Sequence, residues 1–574
     1  MKKKVVAFLL ILIFLGSSWS LLNNKFFRAH DHTHGARIAE MTRALEDGHF
    51  PVRWTQNFGY GYGMPLFEFY GPLPFYVGSI FYWLTNNLVG SIKFLYLLSN
   101  LGTVIGAYLL GKEFAKRRGG VLTAALITLA PYRALNLFIR GALNETWGLM
   151  ALPWILWSLT KIVKGKNKYW PYLSLSLMIM ALSHNLTVLI AAPFILIYFL
   201  VLVFHLHFDK KIKLKLSSFF SLFWAGLMSL MTSCFYWLPC YVEKSFTKME
   251  EMILTGYFDF RLHFLYLRQF VNPSWGFGGS SWGPDDNISF FLGYGQIFVL
   301  LGLGAFFVIS LLKLLKRKEK FSQLLQTLAF PFNLLIVFLF ATLLTTPKTR
   351  IIWENIGLMK YIQFPWRYMV VMILLIGLLG AILLGIKFKK FKKLNRSFFA
   401  LVLVLSLFNA RFFHPQEFLT NPTNFYYSDE EKIRTNMSSI LPDYIPSSLK
   451  YNIQPSHQLI NQELTVADLA KVEVDKTHEK LIQTNFQDEQ DLTINLADYP
   501  GWKVFVDEQE VVKTRTEQGL VSVKAPAGQH LISLIFSSTP IRLYADVISF
   551  VGLLLFLITV LNKNYFEKLI THDK

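Results

Sequence analysis

The feature that most constrains this sequence is a series of long apolar runs separated by short basic segments. Of the 574 residues, 53% are hydrophobic and only 16% are charged, well below the ~25% charged residues of soluble domains. In a soluble protein a formal net charge of +20 would suggest a nucleic-acid partner. Here Lys and Arg collect between the apolar runs, as the positive-inside rule requires. The sequence therefore predicts a polytopic α-helical membrane protein without a nucleic-acid partner.

The basic segments also predict the topology. They are expected in the cytoplasm, at residues 112–118, 161–168, 210–215, 313–320, 387–396 and 563–574. The segments between them are expected outside the cell, at residues 132–145, 183–187, 241–289, 346–366 and 412–540. With spans of ordinary length this alternation predicts about 12 crossings of the cell membrane, with both termini in the cytoplasm.

Two apolar pieces differ from the other runs. The first follows Lys2–Lys4 and reaches roughly the 17 to 20 residues needed to cross, so it predicts an uncleaved signal anchor; a cleaved signal peptide is the alternative. Residues 75–84 are too short to cross and predict a re-entrant or surface helix.

The sequence predicts three regions. Residues 1–411 form a transmembrane domain with an outer first loop at 23–74, residues 412–540 an extracytoplasmic domain, and residues 541–574 a final span with a cytoplasmic tail. The later part of 412–540 alternates apolar and polar residues and contains turn signals, which predicts a small β-sandwich. Its expected core residues are Trp502, Val504, Val506, Val521, Val523, Leu531 and Leu534.

The first loop contains the densest group of polar residues. His30, Asp31, His32 and His34 fall within five residues, before an amphipathic helical pattern that ends at Gly48. Arg37 lies in that pattern, and Glu68 follows in a Gly-, Tyr- and Phe-rich stretch. The combination predicts an active-site loop.

Further polar side chains are predicted at the same membrane face. They are Arg133, Arg140, Glu145, His184, Arg350, Gln363 and Arg367. Arginine binds phosphate oxygens with a planar fork, and an unpaired carboxylate can take a proton from an attacking hydroxyl. The set therefore suits a phosphate-bearing substrate with a polar acceptor.

Each of these residues also has a simpler interpretation. His30 and His34 are one helical turn apart, so a divalent metal ion is an alternative, but no fourth ligand is marked and we expect no metal ligands or other cofactor. Asp31 could cap the following helix. Glu145 is harder to explain structurally, because a charge at the end of an apolar span is costly. His184 marks either a tight turn or a site, and Cys234 and Cys240 are expected to be packing residues.

Several motifs resemble a known family. The stretches AHDHTHGARIAEMTRALEDGHFPVRW, GYGMPLFEFYGPLPFY, RGALNETWG, SHNLT and QFPWRY resemble the membrane family labelled 6-pyruvoyl-tetrahydropterin synthase-related, although nothing in the sequence indicates pterin chemistry. That family is similar in layout to GT-C glycosyltransferases and YfhO-type membrane proteins. The stretch YPGWKVFVD resembles the outer β-domain of YfhO-type chains.

The resemblance implies a function and a set of roles. GT-C enzymes take sugar from a polyprenyl-phosphate carrier and place a catalytic acidic residue in the first outer loop, where Asp31 matches. Asp31 would activate the acceptor hydroxyl, with His34 or Glu145 orienting it. Substrate binding would fall to His30, Arg37, Glu68, Arg140, His184, Arg350, Gln363 and Arg367. The paired acidic residues of some GT-C families are absent here, and histidines stand beside Asp31 instead.

The implied partners are a polyprenyl-phosphate-linked sugar, an envelope glycan or lipid acceptor, and membrane lipids. A non-catalytic transporter or flippase of lipid-linked glycans is the alternative function, since it would need the arginines but no base. A scaffold for envelope assembly is a third interpretation, in which the first loop would tolerate substitution.

Overall fold

The computed structural model describes residues 1–208, 215–253, 255–315, 321–386, 392–420, 429–440, 442–450, 453–460 and 469–562. The predictions made for segments 210–215, 313–320, 387–396 and 563–574 lie wholly or partly outside the described residues.

Helices make up most of the described chain. In order they are α1 (Lys3–Ser18), α2 (His34–Glu46), α3 (Leu66–Phe69), α4 (Leu73–Thr85), α5 (Leu88–Thr128), α6 (Pro131–Ala134), α7 (Leu143–Val163), α8 (Trp170–Ser183), α9 (Asn185–Phe208), α10 (Leu216–Thr232), α11 (Cys234–Val242), α12 (Met249–Ile253), α13 (Tyr294–Leu315), α14 (Phe321–Leu344), α15 (Arg350–Asn355), α16 (Met369–Gly385), α17 (Lys392–Phe408), α18 (Glu430–Lys432), α19 (Ser438–Ile440) and α20 (Pro540–Leu561).

The strands lie mainly near the C-terminal end. They are β1 (Phe26–Phe27), β2 (Phe418–Leu419), β3 (Ala470–Asp475), β4 (Glu479–Phe486), β5 (Gln490–Ala497), β6 (Trp502–Val506), β7 (Gln509–Val511), β8 (Thr514–Arg515), β9 (Leu520–Ala525) and β10 (Gly528–Phe536). β3 to β10 form two antiparallel sheets, one in the order β3-β4-β10-β6-β7 and one in the order β5-β9-β8. β1 pairs with β2, which joins the first loop to the segment after α17. The predicted β-structure is present, and face-to-face packing as a sandwich stays a prediction.

Among the described residues, eight helices are long and apolar enough to cross a membrane, or nine if the bent pair of α10 and α11 forms one span. The predicted number of about 12 is not reached by this criterion and stays a prediction. α4 has 13 residues and is not among these candidates, in agreement with the short helix expected there.

α5 consists of two helices. Ala115 and Lys116 leave the helical region of backbone conformation inside its 41 residues, at the basic segment 112–118 where a turn is predicted. The two halves then pack against each other through small residues, because a Cβ added at Gly111 would lie 2.5 Å from the carbonyl oxygen of Gly119. The structure therefore divides α5 at the basic segment that the sequence places between two spans, and the cytoplasmic location of this segment stays a prediction.

The helical region is built around the span Pro365–Gly385, of which 89% is buried. α16 forms most of this span and packs against α5, α13 and α14. A helix that is apolar on all sides must be surrounded by other apolar surface. The polar 310 turn at its N-terminal end, Pro365–Tyr368, is thereby held at the end of the helical core.

The first loop packs against the C-terminal region. Nη2 of Arg53 lies 2.5 Å from Oδ1 of Asp546 on α20, and the carbonyl of Tyr62 accepts a hydrogen bond from the Ala497 amide at 2.8 Å. Trp54 is fully buried and its ring centroid lies 5.7 Å from that of Trp502. These contacts fix the first loop between the helices and the sheets.

The predicted β-core is correct except at one position. Trp502, Val504, Val506, Val521, Val523 and Leu534 are all buried. Leu531 is 40% exposed, so its assignment to the core is wrong. Successive side chains of a strand point to opposite faces, and on β10 the inner face is occupied by Ile532 and Leu534, both fully buried.

Candidate active site

The first loop is joined through its backbone to the turn before α7. The amides of His30 and Asp31 each donate a 2.9 Å hydrogen bond, to the carbonyls of Ile139 and Arg140 respectively. Gly141 has φ +66°, and a Cβ there would lie 2.7 Å from the Asp31 carbonyl oxygen. Only glycine suits both the positive φ and this close approach, and the turn thereby brings Asp31 close to Arg140.

Asp31 is held by neighbours on one side and open on the other. Its Oδ1 accepts a hydrogen bond from the Thr33 hydroxyl at 2.8 Å, and its Oδ2 lies 3.0 Å from Nη1 of Arg37. Arg37 is completely buried, whereas the Asp31 side chain keeps 28% of its exposure. The carboxylate therefore has a fixed orientation and an accessible surface.

Arg37 connects Asp31 to two more side chains. Its Nη1 lies 3.0 Å from Nδ1 of His34 and 3.2 Å from the Tyr70 hydroxyl, and its guanidinium carbon lies 4.2 Å from the centre of the Tyr70 ring. The Nε and Nη2 atoms of Arg37 are buried without a hydrogen-bond partner in the structure. This guanidinium thus keeps donor capacity for a further acceptor.

The charge states of Asp31 and His34 follow from these contacts. Burial opposes ionisation of Asp31, but the charge of Arg37 and the Thr33 hydrogen bond outweigh it and hold the pKa of Asp31 well below its usual range. Burial lowers the pKa of His34 to about 4. Nε2 of His34 donates to the Gly141 carbonyl while Nδ1 faces the N–H of Arg37, so the ring is neutral. His34 positions Arg37 and cannot take a proton without losing that contact.

Glu145 occupies a second cluster, at the N-terminal end of α7. Oε1 accepts hydrogen bonds from the Tyr132 hydroxyl at 2.8 Å and the Asn136 amide at 3.0 Å. Oε2 lies 2.8 Å from Nη1 of Arg140 and 3.6 Å from Nε of Arg367. Only 3% of the Glu145 side chain is exposed. A carboxylate with this many donors is well placed to hold two guanidinium groups and is not an accessible base.

The two arginines are also fixed by aromatic rings. The guanidinium carbon of Arg140 lies 4.6 Å from the centre of the Trp366 ring, and that of Arg367 lies 4.9 Å from the Phe364 ring. Gln363 contributes Oε1 at 3.3 Å from Nη1 of Arg367 and has φ +63°, which is unusual for a residue with a side chain. Strained backbone of this kind concentrates at functional sites.

Tyr70 lies where the two clusters meet. The charges of Arg37, Asp31, Arg367 and Arg140 all act on its phenol group, and burial raises its pKa. Together the clusters contain the cations Arg37, Arg140 and Arg367 and the anions Asp31 and Glu145. A third acidic side chain, Asp443, lies close enough to Arg37 to feel its charge, so three cations and three acidic groups meet in a mostly buried setting.

Two other predicted residues lie beside these clusters. His30 is exposed, and its Nε2 lies 2.7 Å from the Phe277 carbonyl, which brings the long 241–289 segment to the first loop. Nδ1 of His184 is hydrogen-bonded to the Thr187 hydroxyl at 2.7 Å. The His184 ring also interacts electrostatically with Glu145. The structure thus brings both imidazoles to the edge of the site.

Two predicted residues lie elsewhere. Glu68 belongs to a separate buried cluster, where Oε2 lies 3.0 Å from Nη2 of Arg542 and Oε1 lies 3.3 Å from the Tyr499 hydroxyl. Arg350 is 52% exposed and pairs with Glu354 at 2.8 Å. The structure places neither side chain with Asp31 or Glu145, so their assignment to substrate binding has no geometric support.

The described residues contain no group of three or more His, Cys, Asp and Glu side chains that could hold a metal ion. His30 and His34 in particular point to different carbonyls, of Phe277 and Gly141. Each of these two side chains thereby contacts the backbone of another segment.

Sequence reasoning missed several residues of the site. They are Tyr70, Tyr132, Asn136, Gly141, Trp366 and Asp443. The spacing of two of them from Arg140 was a usable sequence signal. Tyr132, Asn136 and Arg140 are polar residues four positions apart, which predicts that they lie on the same face of a helix. Nothing in the sequence connects Asp443, from the C-terminal segment, with the first loop.

Comparison with known proteins gives one curated relative and several solved structures. The relative, from Lactococcus lactis subsp. cremoris (strain MG1363), is described as uncharacterized and is 25% identical over 212 residues, 35% of this chain and 34% of the relative. The chain thus matches about a third of that relative's length.

The similar solved structures include two proteins named as transferases. Arabinofuranosyltransferase AftD from Mycobacteria has a TM-score of 0.44 at 13% identity, covering 73% of this chain and 28% of AftD. An oligosaccharyltransferase from Archaeoglobus fulgidus, tethered with an acceptor peptide, scores 0.40 at 13% identity over 72% of this chain and 56% of its own. ArnT from Cupriavidus metallidurans, bound to undecaprenyl phosphate, scores 0.36 at 12% identity over 75% and 77%. Each score is below 0.5, so this similarity is no basis for assigning an activity.

A family model gives a firmer result. The model described as the 6-pyruvoyl-tetrahydropterin synthase related domain, a membrane protein family, matches residues 67–414. The match includes Tyr70, Glu145 and Arg367 and begins after Asp31 and Arg37. Because it covers more than half of the sequence, the chain belongs to this membrane protein family.

Proposed function

We propose that this protein is a GT-C-like membrane glycosyltransferase, which transfers a sugar from a polyprenyl-phosphate donor to a cell-envelope acceptor at the extracytoplasmic face. One observation carries the proposal. A partly exposed, ionised carboxylate, Asp31, stands beside a cluster of three buried guanidinium groups, two of which keep buried donor atoms without a hydrogen-bond partner.

The unused donor atoms of the arginines support an anionic substrate. A buried donor without an acceptor is costly, and a bound phosphate would supply the missing acceptors. Arg37 has two buried donor atoms without partners and Arg367 has one, and arginine forks match phosphate geometry. A phosphate held here would lie beside Asp31, since Arg37 contacts that carboxylate directly.

The carboxylate supports a transfer reaction. The acceptor hydroxyl would donate a hydrogen bond to Asp31, and its oxygen would attack the anomeric carbon of the donor sugar. The bond from that carbon to the phosphate oxygen would break, with its electron pair leaving on polyprenyl phosphate, while the hydroxyl proton passes to Asp31. Because the hydroxyl becomes strongly acidic as the new bond forms, a carboxylate of low basicity is sufficient.

Purified protein in proteoliposomes tests the proposal. A polyprenyl-phosphate-linked sugar is supplied with an envelope lipid fraction, and free polyprenyl phosphate and glycosylated product are measured. Wild-type protein should release the carrier, and Asp31→Asn should lower that rate by about two to four orders of magnitude while still binding a polyprenyl phosphate. Asp488→Asn, at an exposed turn residue between β4 and β5, is the matched control and should be fully active.

The same assay separates the alternative functions. A flippase of lipid-linked glycans would move the donor across the bilayer without releasing free carrier, and it would not depend on Asp31. A scaffold would do neither. Transport of intact donor by wild type and Asp31→Asn alike would contradict the transferase proposal.

A further inference from the structure

We propose that Asp443 binds the acceptor: its carboxyl group accepts hydrogen bonds from hydroxyl groups of a sugar or other polyol, a role that rests on the proposed function. No feature of the sequence pointed to this residue. It enters the site from the C-terminal segment, about four hundred positions after Asp31.

The segment around Asp443 packs directly on a wall of the site. Asp443 lies in the short 310 helix Pro442–Tyr444. The Tyr444 ring is stacked on Phe69, with centroids 6.0 Å apart and planes at 8°, and meets Tyr70 at 6.2 Å. Since the Tyr70 hydroxyl lies 3.2 Å from Nη1 of Arg37, Asp443 is next to the residues that surround Asp31.

Backbone hydrogen bonds fix this segment. The Lys248 amide donates to the Ile445 carbonyl at 3.0 Å, and the Ser447 amide donates to the Phe246 carbonyl at 2.8 Å. The segment is therefore attached to the connection between α11 and α12, and α12 itself packs on the 310 helix. Asp443 is held in place by its neighbours rather than by its own side chain.

The Asp443 carboxyl group is left available. It is partly buried, yet within the described part of the chain it makes no hydrogen bond or ion pair, and only the charge of Arg37 acts on it. Burial raises its pKa to about 6, with Arg37 opposing the shift. Because the carboxyl group is partly exposed and no described protein group engages it, a ligand bound beside Arg37 can reach it and donate hydrogen bonds to it.

The surroundings select the chemistry of that ligand. Arg37 and the two arginines near Tyr70 disfavour a cationic ligand, and the carboxyl group itself disfavours a phosphate. Hydroxyl groups donate to a carboxyl oxygen in either protonation state. A polyol is the ligand class that satisfies both conditions, and in the proposed reaction the polyol is the acceptor.

Steady-state kinetics test this role. Asp443→Asn keeps the size of the side chain and should raise the KM for the acceptor about 10- to 100-fold, the loss expected for one hydrogen bond to a charged group. The rate of donor hydrolysis without acceptor and the KM for the donor should not change, and Asp488→Asn should behave as wild type. An unchanged acceptor KM, or an equal loss of donor hydrolysis, would overturn the assignment.

A chemical labelling experiment does not depend on turnover. Carboxyl groups of the full-length protein in nanodiscs are modified with a carbodiimide and glycine ethyl ester, and the label on Asp443 is quantified by mass spectrometry. Octyl glucoside, as a polyol probe, should protect Asp443 several-fold, whereas farnesyl phosphate should not. Protection by the phosphate alone, or by neither probe, refutes the acceptor role. Protection in a protein without transferase activity would leave a polyol site and refute only the proposed function.

Discussion

Nη1 of Arg37 lies 3.0 Å from Oδ2 of Asp31, and the guanidinium group is completely buried while the carboxylate keeps 28% of its side-chain exposure. The pair is thus buried on its positive side and open on its negative side. Because the Arg37 guanidinium group is completely buried, its ion pair with Asp31 offsets part of the desolvation cost of its charge. The carboxylate proposed to act in catalysis therefore also has a structural task.

The first prediction is that Asp31 and Arg37 are energetically coupled. Asp31→Asn and Arg37→Met should each destabilise the protein by about 1–3 kcal/mol, because each leaves the other group with one fewer partner. The double variant should cost less than the sum of the two single variants. The free energy of unfolding of wild type, both single variants and the double variant is measured in detergent by thermal or denaturant-induced unfolding.

The exposed pair Arg268–Asp285 is the control, since its side chains are 62% and 87% exposed. The corresponding cycle there should show no measurable coupling, as exposed ion pairs contribute little. Additive effects of the two Asp31 and Arg37 variants would show that the pair is not an energetic unit.

The density of polar side chains in the first loop was visible in the sequence because this signal is local, and its role in catalysis stays a prediction. Five consecutive positions hold His30, Asp31, His32 and His34, and the structure confirms that this stretch reaches Arg140 and approaches Arg37. The hydropathy pattern likewise predicts apolar helices and a C-terminal β-region, because the period of apolar residues is set by the element that buries them.

Other parts of the site depend on contacts that no local pattern records. Glu68 and Arg350 have the same residue types as the true cluster members, yet Glu68 pairs with Arg542 on α20 and Arg350 with Glu354. Asp443 was not predicted, yet it lies near the site, because its neighbour Tyr444 stacks on Phe69 although the two segments are far apart in the sequence. Residue type predicts what a side chain can do, and the tertiary fold decides where it does it.

The second prediction concerns pH and His34. Burial lowers its pKa in the folded protein to about 4, whereas in the unfolded chain it is about 6.5. The unfolded state then binds more protons between these values, so the contribution of His34 to stability is complete above about pH 6.5 and is lost as the pH falls towards 4.

His34→Gln removes the titrating ring and keeps a polar side chain. Its melting temperature should depend less on pH than that of wild type between pH 4 and 6.5, and the two curves should run parallel above pH 7. Thermal unfolding across this range makes the comparison. Equal pH dependence of both proteins would mean that His34 is not held neutral.

The third prediction concerns the contact between the first loop and the sheets. Trp502 is 2% exposed and packs against Trp54 and Phe536, with ring centroids at 5.7 and 5.2 Å. Trp502→Ala should destabilise the protein by about 3–5 kcal/mol. Leu531 lies on the outward face of β10, so Leu531→Ala should lower the free energy of unfolding by about 1 kcal/mol or less. Similar losses for both would contradict the observed alternation on the strand.

The fourth prediction tests the membrane orientation. In a variant without Cys234 and Cys240, single cysteines replace Ser281, Glu517 or Lys168, all of which are exposed. An impermeant thiol reagent applied to intact cells should label the first two positions and not Lys168→Cys, because basic segments such as 161–168 are expected in the cytoplasm. The opposite labelling pattern would place the candidate site on the cytoplasmic side.

The fifth prediction compares two arginines that the sequence suggested for substrate binding, of which the structure places only Arg367 in the candidate site. Arg367 is fixed by the Ile362 carbonyl at 2.7 Å from Nη1 and by Oε1 of Gln363 at 3.3 Å, and its buried Nε makes no hydrogen bond. Arg350 is exposed and already paired with Glu354. Of Arg367 and Arg350, only Arg367 lies beside Glu145, where a donor phosphate could complete its hydrogen bonds.

Arg367→Lys keeps the charge but removes the planar fork, so the KM for a polyprenyl-phosphate sugar should rise about 10- to 100-fold. Arg350→Lys should leave that constant unchanged. Both variants are measured by carrier release in proteoliposomes, with binding of the free carrier as a second readout. If Arg350→Lys weakens carrier binding and Arg367→Lys does not, the phosphate lies outside the Glu145 cluster and the argument from unused arginine donor atoms fails.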